Sequence, residues 1–348
     1  MRCPDGVGDV IIPIQMVDTT LGRYRILGKL GEGGMAEVHM AEDSLLHRCV
    51  AVKTLRSSGL RNPDMVLRFH QEATTVSRLG HANIVQVFDL GARADGDYLV
   101  MEFLDRGSIS RVVAGIGGRL DPVCAACVAV QAAEGLAAAH EAGVVHRDVK
   151  PDNLLVSRQG VVKVADFGIA RLQSEVSHTE PGTALGSPHY MAPEQVEGEV
   201  PTGRTDVFAL ASVLHFLVAG SPAFEAENAI GLMWRIAKHD APDLRGVAPA
   251  CPRPISDLVR AMHARDAKKR PDMEEVAATL RAWLAEQGVL HPAEHLRQTL
   301  GFPLTAPIAS GANTTRRLSL LRRRRKRLYW IAGTVFAAVL AWLGLRHR

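Results

Sequence analysis

His146-Arg147-Asp148-Val149-Lys150-Pro151-Asp152-Asn153 sets an acid, a lysine and an asparagine within six residues, and Asp166-Phe167-Gly168 follows shortly after. The apolar stretch between them, Leu154-Leu155-Val156 and Val161 to Val164, predicts two short strands around a turn at Gln159-Gly160. A hairpin returns its two ends to one place, so Asp148, Asn153 and Asp166 should converge. Transfer of a phosphoryl group from ATP needs such a set: one carboxylate to receive a hydroxyl proton and two oxygen ligands to hold Mg2+.

Those groups need elements to position them. Gly31-Glu32-Gly33-Gly34-Met35-Ala36-Glu37-Val38 is a glycine-rich turn whose backbone can approach phosphate oxygens and offer N–H groups without side-chain obstruction. Val50-Ala51-Val52-Lys53 is a strand that ends in a lysine. Met65 to Leu79 predicts an amphipathic helix, with Val66, Phe69, Ala73, Val76 and Leu79 at helical spacing, Pro63 and Asp64 at its start, and Glu72 on it. Tyr98 to Leu104 predicts a strand running into a hinge, and Val123 to Ala142 an Ala-rich helix.

In this order the motifs resemble those of the eukaryotic-type (Hanks-type) serine/threonine protein kinases, in the membrane-anchored bacterial style of Gly-Glu-Gly-Gly-Met and Met191-Ala192-Pro193-Glu194-Gln195. The resemblance covers about residues 22 to 284. It implies an α+β, two-lobed fold with a strand-rich N-lobe around one helix and a mainly helical C-lobe. It also implies ATP with Mg2+, or Mn2+, and transfer of the γ-phosphate to Ser/Thr hydroxyls of proteins, with autophosphorylation, in membrane-associated signalling. A pseudokinase scaffold that binds nucleotide or partners without catalysis is the alternative.

By the same resemblance, Asp148 is the base, Lys150 steadies the transferring group, and Asn153 and Asp166 hold the metal. Lys53 holds the α- and β-phosphates and pairs with Glu72. Leu30, Val38, Ala51 and Leu155 sandwich adenine, Met101 lies at the back, and the backbones of Glu102 and Leu104 bond the ring. Asp105 reaches the ribose. Gly31, Glu32, Gly33, Gly34, Met35 and Ala36 cover the phosphates, with Ala36 where the family has its third glycine. Val76, Val87, His146 and Phe167 form an internal column, which makes His146 a packed structural residue. Glu194 pairs with Arg270, and Asp206 bonds the catalytic-loop backbone. Ser187 replaces a family threonine and keeps the hydroxyl that bridges Asp148 and Lys150. Arg147 awaits a phosphate in the activation segment, with Thr179 and then Thr183 as candidates.

The chain has 348 residues, enough for a large core and a tail. Its net charge of +4 is uneven: residues 316–348 hold ten Lys/Arg and no acids, which leaves 31 Lys/Arg against 37 Asp/Glu elsewhere. A globally basic nucleic-acid binder is therefore not implied. The basic block 322–327 abuts residues 328–345, an uncharged run of 18 with Tyr329, Trp330 and Trp342 near its ends. That length and those flanks predict a single transmembrane helix in the inner membrane, with the kinase domain cytoplasmic. The expected division is an N-terminal tail (1–21), a kinase domain (22–284), a flexible juxtamembrane linker ending in the basic block (285–327), the transmembrane helix (328–345) and a short external tail (346–348) with no sensor domain. The expected partners are protein substrates bearing Ser/Thr and membrane lipid; a homodimer is left open. The five cysteines suggest no disulfide framework, and Cys124 and Cys127 read as small core residues despite their metal-like spacing.

Overall fold

Strand residues with period-two burial open the described part of the chain, which comprises residues 20–32, 36–55, 63–92, 96–167 and 188–302 of a computed structural model. β1 (Thr20–Leu21), β2 (Tyr24–Glu32), β3 (Ala36–Asp43), β4 (Arg48–Leu55), β5 (Val87–Gly91) and β6 (Tyr98–Glu102) form one antiparallel sheet in the order β1-β2-β3-β4-β6-β5. Alternation splits β4 between two faces. Val50 and Val52 are buried with Tyr24, Ile26, Ala41 and Val100, while Ala51 turns to the opposite side with Met101 and Leu104. α1 (Pro63–Ser77) lies across the sheet, where Phe69 and Ala73 pack with Leu99.

The second lobe comprises β7 (Gly107–Ser108), α2 (Ile109–Gly115), α3 (Pro122–Glu141), β8 (Leu154–Val156), β9 (Val162–Val164), α4 (Pro193–Val196), α5 (Gly203–Ala219), α6 (Ala229–Lys238), α7 (Leu244–Val247), α8 (Arg253–Met262), α9 (Met273–Glu286) and α10 (Pro292–Thr299). Asp121 caps α3 by accepting from the Val123 and Cys124 N–H groups, and the helix is apolar nearly all round because it forms the centre of this lobe. By length and composition alone it is the one described helix that could cross a membrane. Its burial inside the lobe explains that composition. At Gly135 a Cβ would stand 2.5 Å from the Asn83 carbonyl oxygen, so the absent side chain lets α3 approach the loop between the lobes.

The predicted hairpin forms as β8 and β9, paired Leu154 to Val164 and Val156 to Val162. β9 is also stitched to the other lobe: Val164 N–H donates to Asn83 O at 2.8 Å and Val85 N–H to Val164 O at 2.9 Å. Two expectations need correction. Residues 285–327 do not begin as a flexible linker. α10 follows α9 after a short turn and seats against α3, with Leu296 fully buried and Phe302 in the main core. Pro292 stands at the start of a short helix, where its missing N–H costs nothing. Cys49 is disulfide-bonded, where no disulfide was expected. Cys124, Cys127 and Cys251 are free and buried, and burial raises the Cys127 thiol to about 12, as expected of inert core residues. Residues 328–345, expected to span a membrane, lie outside the described residues.

Candidate active site

The hairpin brings the charged residues together. Lys53 Nζ donates to Asp166 Oδ1 and to Glu72 Oε1, each at 3.0 Å. β4 thus meets α1 and the end of β9 at a single ammonium. Burial pulls the Lys53 pKa down, but Asp166 and then Glu72 more than offset it, so the lysine stays charged. Lys53 in turn holds the Asp166 carboxyl below its usual range. Burial raises Glu72 against the attraction of Lys53.

On the catalytic loop, Lys150 Nζ donates to Asp148 Oδ2 at 2.7 Å. Asn153 Nδ2 donates to the Asp148 carbonyl at 2.8 Å and to Oδ2 at 3.2 Å. These bonds orient Asn153 so that its Oδ1 is the atom left to offer a cation. Ala165 N–H donates to Asn153 O at 2.8 Å, which locks the start of the hairpin to its end beside Asp166. An exposed carboxylate and a neighbouring amide oxygen suit a hard cation such as Mg2+.

The loop is held from beneath. Asp206, fully buried at the start of α5, accepts from the backbone of His146 at 2.8 Å and of Arg147 at 2.7 Å, and from His140 Nε2 at 2.7 Å. His146 Nδ1 accepts from Asp148 N–H, so the ring proton sits on Nε2 and reaches the Ala165 carbonyl at 3.0 Å. The His146 ring packs against Phe167 in a tilted contact, centroids 4.6 Å apart, and Val76 and Val87 join the same core as Phe167. The packed role of His146 follows. Arg147 (φ 69°) and Asp166 (φ 54°) both adopt the left-handed conformation that ordinary residues avoid. Such backbone persists only where surrounding bonds over-determine it, as they do here.

The side chains expected around adenine fall in one apolar cluster: Ala51, Val85, Met101, Leu104 and Ala165, with Leu30, Val38 and Leu155 packed against it. All five of those side chains, Leu30, Val38, Ala51, Met101 and Leu155, are in it, joined by Leu104, whose backbone alone was expected to take part. Val85 and Ala165 were missed, since small apolar residues in loops carry no periodic signal. Leu104 N–H donates to no group among the described residues and is the edge a purine could take. The Glu102 side chain accepts from Lys163 at 2.7 Å, and its backbone N–H donates to Gln86 O at 2.9 Å. Asp105 departs from expectation. Its two carboxylate oxygens accept from the Arg158 backbone N–H and from Arg158 Nε, so it anchors the hairpin and not a ribose. Gly31 and Glu32 end β2 and Ala36 opens β3, whereas Gly33, Gly34, Met35, Ser187, Thr179 and Thr183 lie outside the described residues.

Further down the lobe, Arg270 grips Glu194 bidentately, Nη1 to Oε1 at 2.7 Å and Nη2 to Oε2 at 2.8 Å. Thr205 adds a third donor to Glu194 at 2.8 Å. Burial opposes ionisation of Glu194, but these bonds win and its pKa falls. Gln195, next in sequence, donates to the Arg147 carbonyl at 2.9 Å, a loop support that its type alone did not reveal.

Comparison with known proteins agrees with this geometry. Residues 24–280 match the family described as protein kinase domain. The chain is 36% identical over 254 residues to the serine/threonine-protein kinase PrkC of Bacillus subtilis, covering 73% of this chain and 39% of that one. It is 36% identical over 267 residues to PknB of Mycolicibacterium smegmatis (75% and 42%), and 38% identical over 291 residues to Pkn1 of Myxococcus xanthus (81% and 40%). The chain thus spans about two fifths of the length of these relatives. With the matched span reaching from β2 into α9 and enclosing every residue of the site, the chain belongs to the protein kinase family.

Proposed function

We propose that the chain is a serine/threonine protein kinase of the membrane-anchored bacterial type. The observation that carries this reading is Lys53 bound at once to Glu72 and Asp166, 3.0 Å from each. That ties the phosphate-binding lysine to a metal-binding carboxylate while Asp148, Lys150 and Asn153 are locked together beside them. ATP is the phosphoryl donor. Adenine fits the Ala51–Leu104 cluster, and Lys53 neutralises phosphate charge. Mg2+, held by Asn153 and Asp166, would offset charge on the phosphate oxygens.

Asp148 accepts the proton of a substrate Ser/Thr hydroxyl, and that oxygen forms the new bond to the γ-phosphorus. The bond between the γ-phosphorus and the β–γ bridging oxygen breaks, and ADP leaves with that oxygen. Lys150, 2.7 Å from Asp148, is placed to offset negative charge at the transferring group. Incubation of the purified protein with labelled ATP and Mg2+ and a generic protein substrate tests this. Asp166→Asn should weaken Mg-nucleotide binding; Asp148→Asn should bind nucleotide nearly as wild type but lose turnover. A wild-type rate in Asp148→Asn would overturn the assignment.

Activation by phosphorylation between Asp166 and Glu194 belongs to the same reading. Arg147 Nε is buried with no hydrogen-bond partner among the described residues, and burial lowers the pKa of its guanidinium, an environment that an added dianion would relieve. Thr179 is the first candidate and Thr183 the second. Mass spectrometry of active protein that finds neither modified, or full activity in the double alanine variant, would refute this. Anchoring through residues 328–345 rests on the uncharged run and its basic flank.

A further inference from the structure

We propose that α10 and the residues just after it are a positioning element of the nucleotide site, clamping both the β8–β9 turn and the segment that leaves the hinge. The proposal rests on the kinase reading and adds to it a part of the chain beyond the matched residues 24–280.

The first contact is at the turn. Gly160 has φ 77°, and a Cβ there would stand 2.0 Å from the Ala293 carbonyl oxygen and 2.9 Å from Arg297 N. The α10 backbone is therefore seated directly on the turn that joins β8 to β9. Those strands carry Asn153 at one end and Asp166 at the other. Gln131 of α3 holds the same turn from its inner side, donating to Gly160 O at 3.3 Å and accepting from Val162 N–H at 3.1 Å.

The second contact is at the hinge exit. The Arg106 guanidinium lies 5.2 Å from the centroid of the Phe302 ring, and its Nε is buried without a hydrogen-bond partner among the described residues. Phe302 is fixed by its own N–H, which donates to Arg297 O at 3.0 Å, and by burial in the main core. Arg106 N–H donates to Val156 O at 3.1 Å, so the chain two residues beyond Leu104 is gripped by β8 on one side and by Phe302 on the other. A helix that only covered apolar surface could lie anywhere along α3. This one touches the turn of the hairpin whose other end carries Asn153 and Asp166, and the segment that leaves the purine edge.

The test uses the full-length chain with Phe302→Ala, Arg106→Ala and the double variant, reading kcat, KM for ATP and Kd for ADP. Phe302→Ala should raise KM and Kd about three- to tenfold and leave kcat within about twofold. Because Phe302 acts through Arg106, the double variant should bind ADP about as weakly as Arg106→Ala alone. Unchanged ADP affinity in Phe302→Ala, or independent multiplication of the two effects, would overturn the proposal. ADP binding requires no turnover, so a failure of the kinase reading would show separately, as wild-type protein that binds but does not transfer. Should Phe302→Ala not fold, Phe302→Leu keeps apolar bulk without the ring, and the same measurements decide.

Discussion

Lys53 and Glu72 are joined by a 3.0 Å ion pair that ties the central sheet to α1, with both side chains largely shielded from water. The pair does more than add an attraction. It fixes the height of α1 against β4, and with it the direction in which the lysine points toward phosphate. Glu72→Gln keeps the shape and removes the charge that offsets Lys53 burial. Lys53 then falls back on Asp166 alone, at the expense of the metal site. We expect kcat/KM for ATP to fall at least about tenfold, about 1.4 kcal/mol of transition-state stabilisation, with the melting temperature little changed. Steady-state kinetics decide it; a wild-type kcat/KM would mean that the pair is structural only.

Arg270 is fully buried, and its guanidinium reaches Glu194, the carbonyls of Ala264, Arg204 and Arg265, and the ring of Phe208. Lysine retains the charge but not the planar fork that meets these acceptors together. Arg270→Lys should therefore destabilise the protein by about 2–4 kcal/mol, because removing one partner's geometry leaves Glu194 buried and poorly compensated. Denaturant unfolding measures this directly. A loss below about 1 kcal/mol, near that of an exposed pair, would show that the bidentate geometry contributes little.

The convergence of Asp148, Asn153 and Asp166 was legible in the sequence because they sit in short runs of unusual composition whose order matches a known family, and the hairpin between them follows from two apolar runs around Gln159-Gly160. The parts that were not legible depend on contacts distant in sequence. Asp105 stands where a ribose contact could be expected, yet Arg158, more than fifty positions on, takes both its oxygens. α10 resembled a linker because eight residues with a proline and few apolar side chains carry little periodicity. Only the close approach of the α10 backbone to Gly160 and the ring of Phe302 against Arg106 show what this end of the chain packs on. Gln195 and Gln131 work through side-chain amides to backbone, a role that leaves no pattern in type or spacing.

Two histidines give the fold an acid limit. His215 is buried with neither ring nitrogen hydrogen-bonded, and burial depresses its pKa to about 4. His263, bonded only through Nε2 to Ser212 at 3.0 Å, is depressed to about 3 by burial, with His215 and Arg270 adding repulsion. Both must stay neutral in the folded chain, whereas unfolded histidines take up protons near pH 6.5. Their contribution to stability is complete above about pH 6.5 and is lost as pH falls toward the folded values, by about 1.4 kcal/mol per pH unit for each. Melting curves from pH 7 to 5 should show the fall, and His215→Leu should flatten it. An unchanged slope in that variant would exclude His215 as a source.

The C-terminal segment should separate anchoring from chemistry, provided the cut respects α10. Every catalytic and metal-binding position lies before residue 271, but the Gly160 turn and Arg106 depend on residues up to Phe302. A chain ended after residue 302 should be soluble, bind ATP and phosphorylate a generic substrate. One ended after residue 290 strips the cover from α3 and the hairpin, and should melt lower and bind ADP more weakly. The full-length chain should sediment with membranes and stay there in high salt, because burial of an apolar helix is insensitive to screening while a basic tether is not. Release by salt alone would replace the spanning helix with a surface anchor built on residues 322–327. Equal stability and ADP affinity in the two truncated chains would remove α10 from the kinase unit. Membrane retention of the chain ended after residue 302 would place a lipid-binding surface on the catalytic lobes themselves.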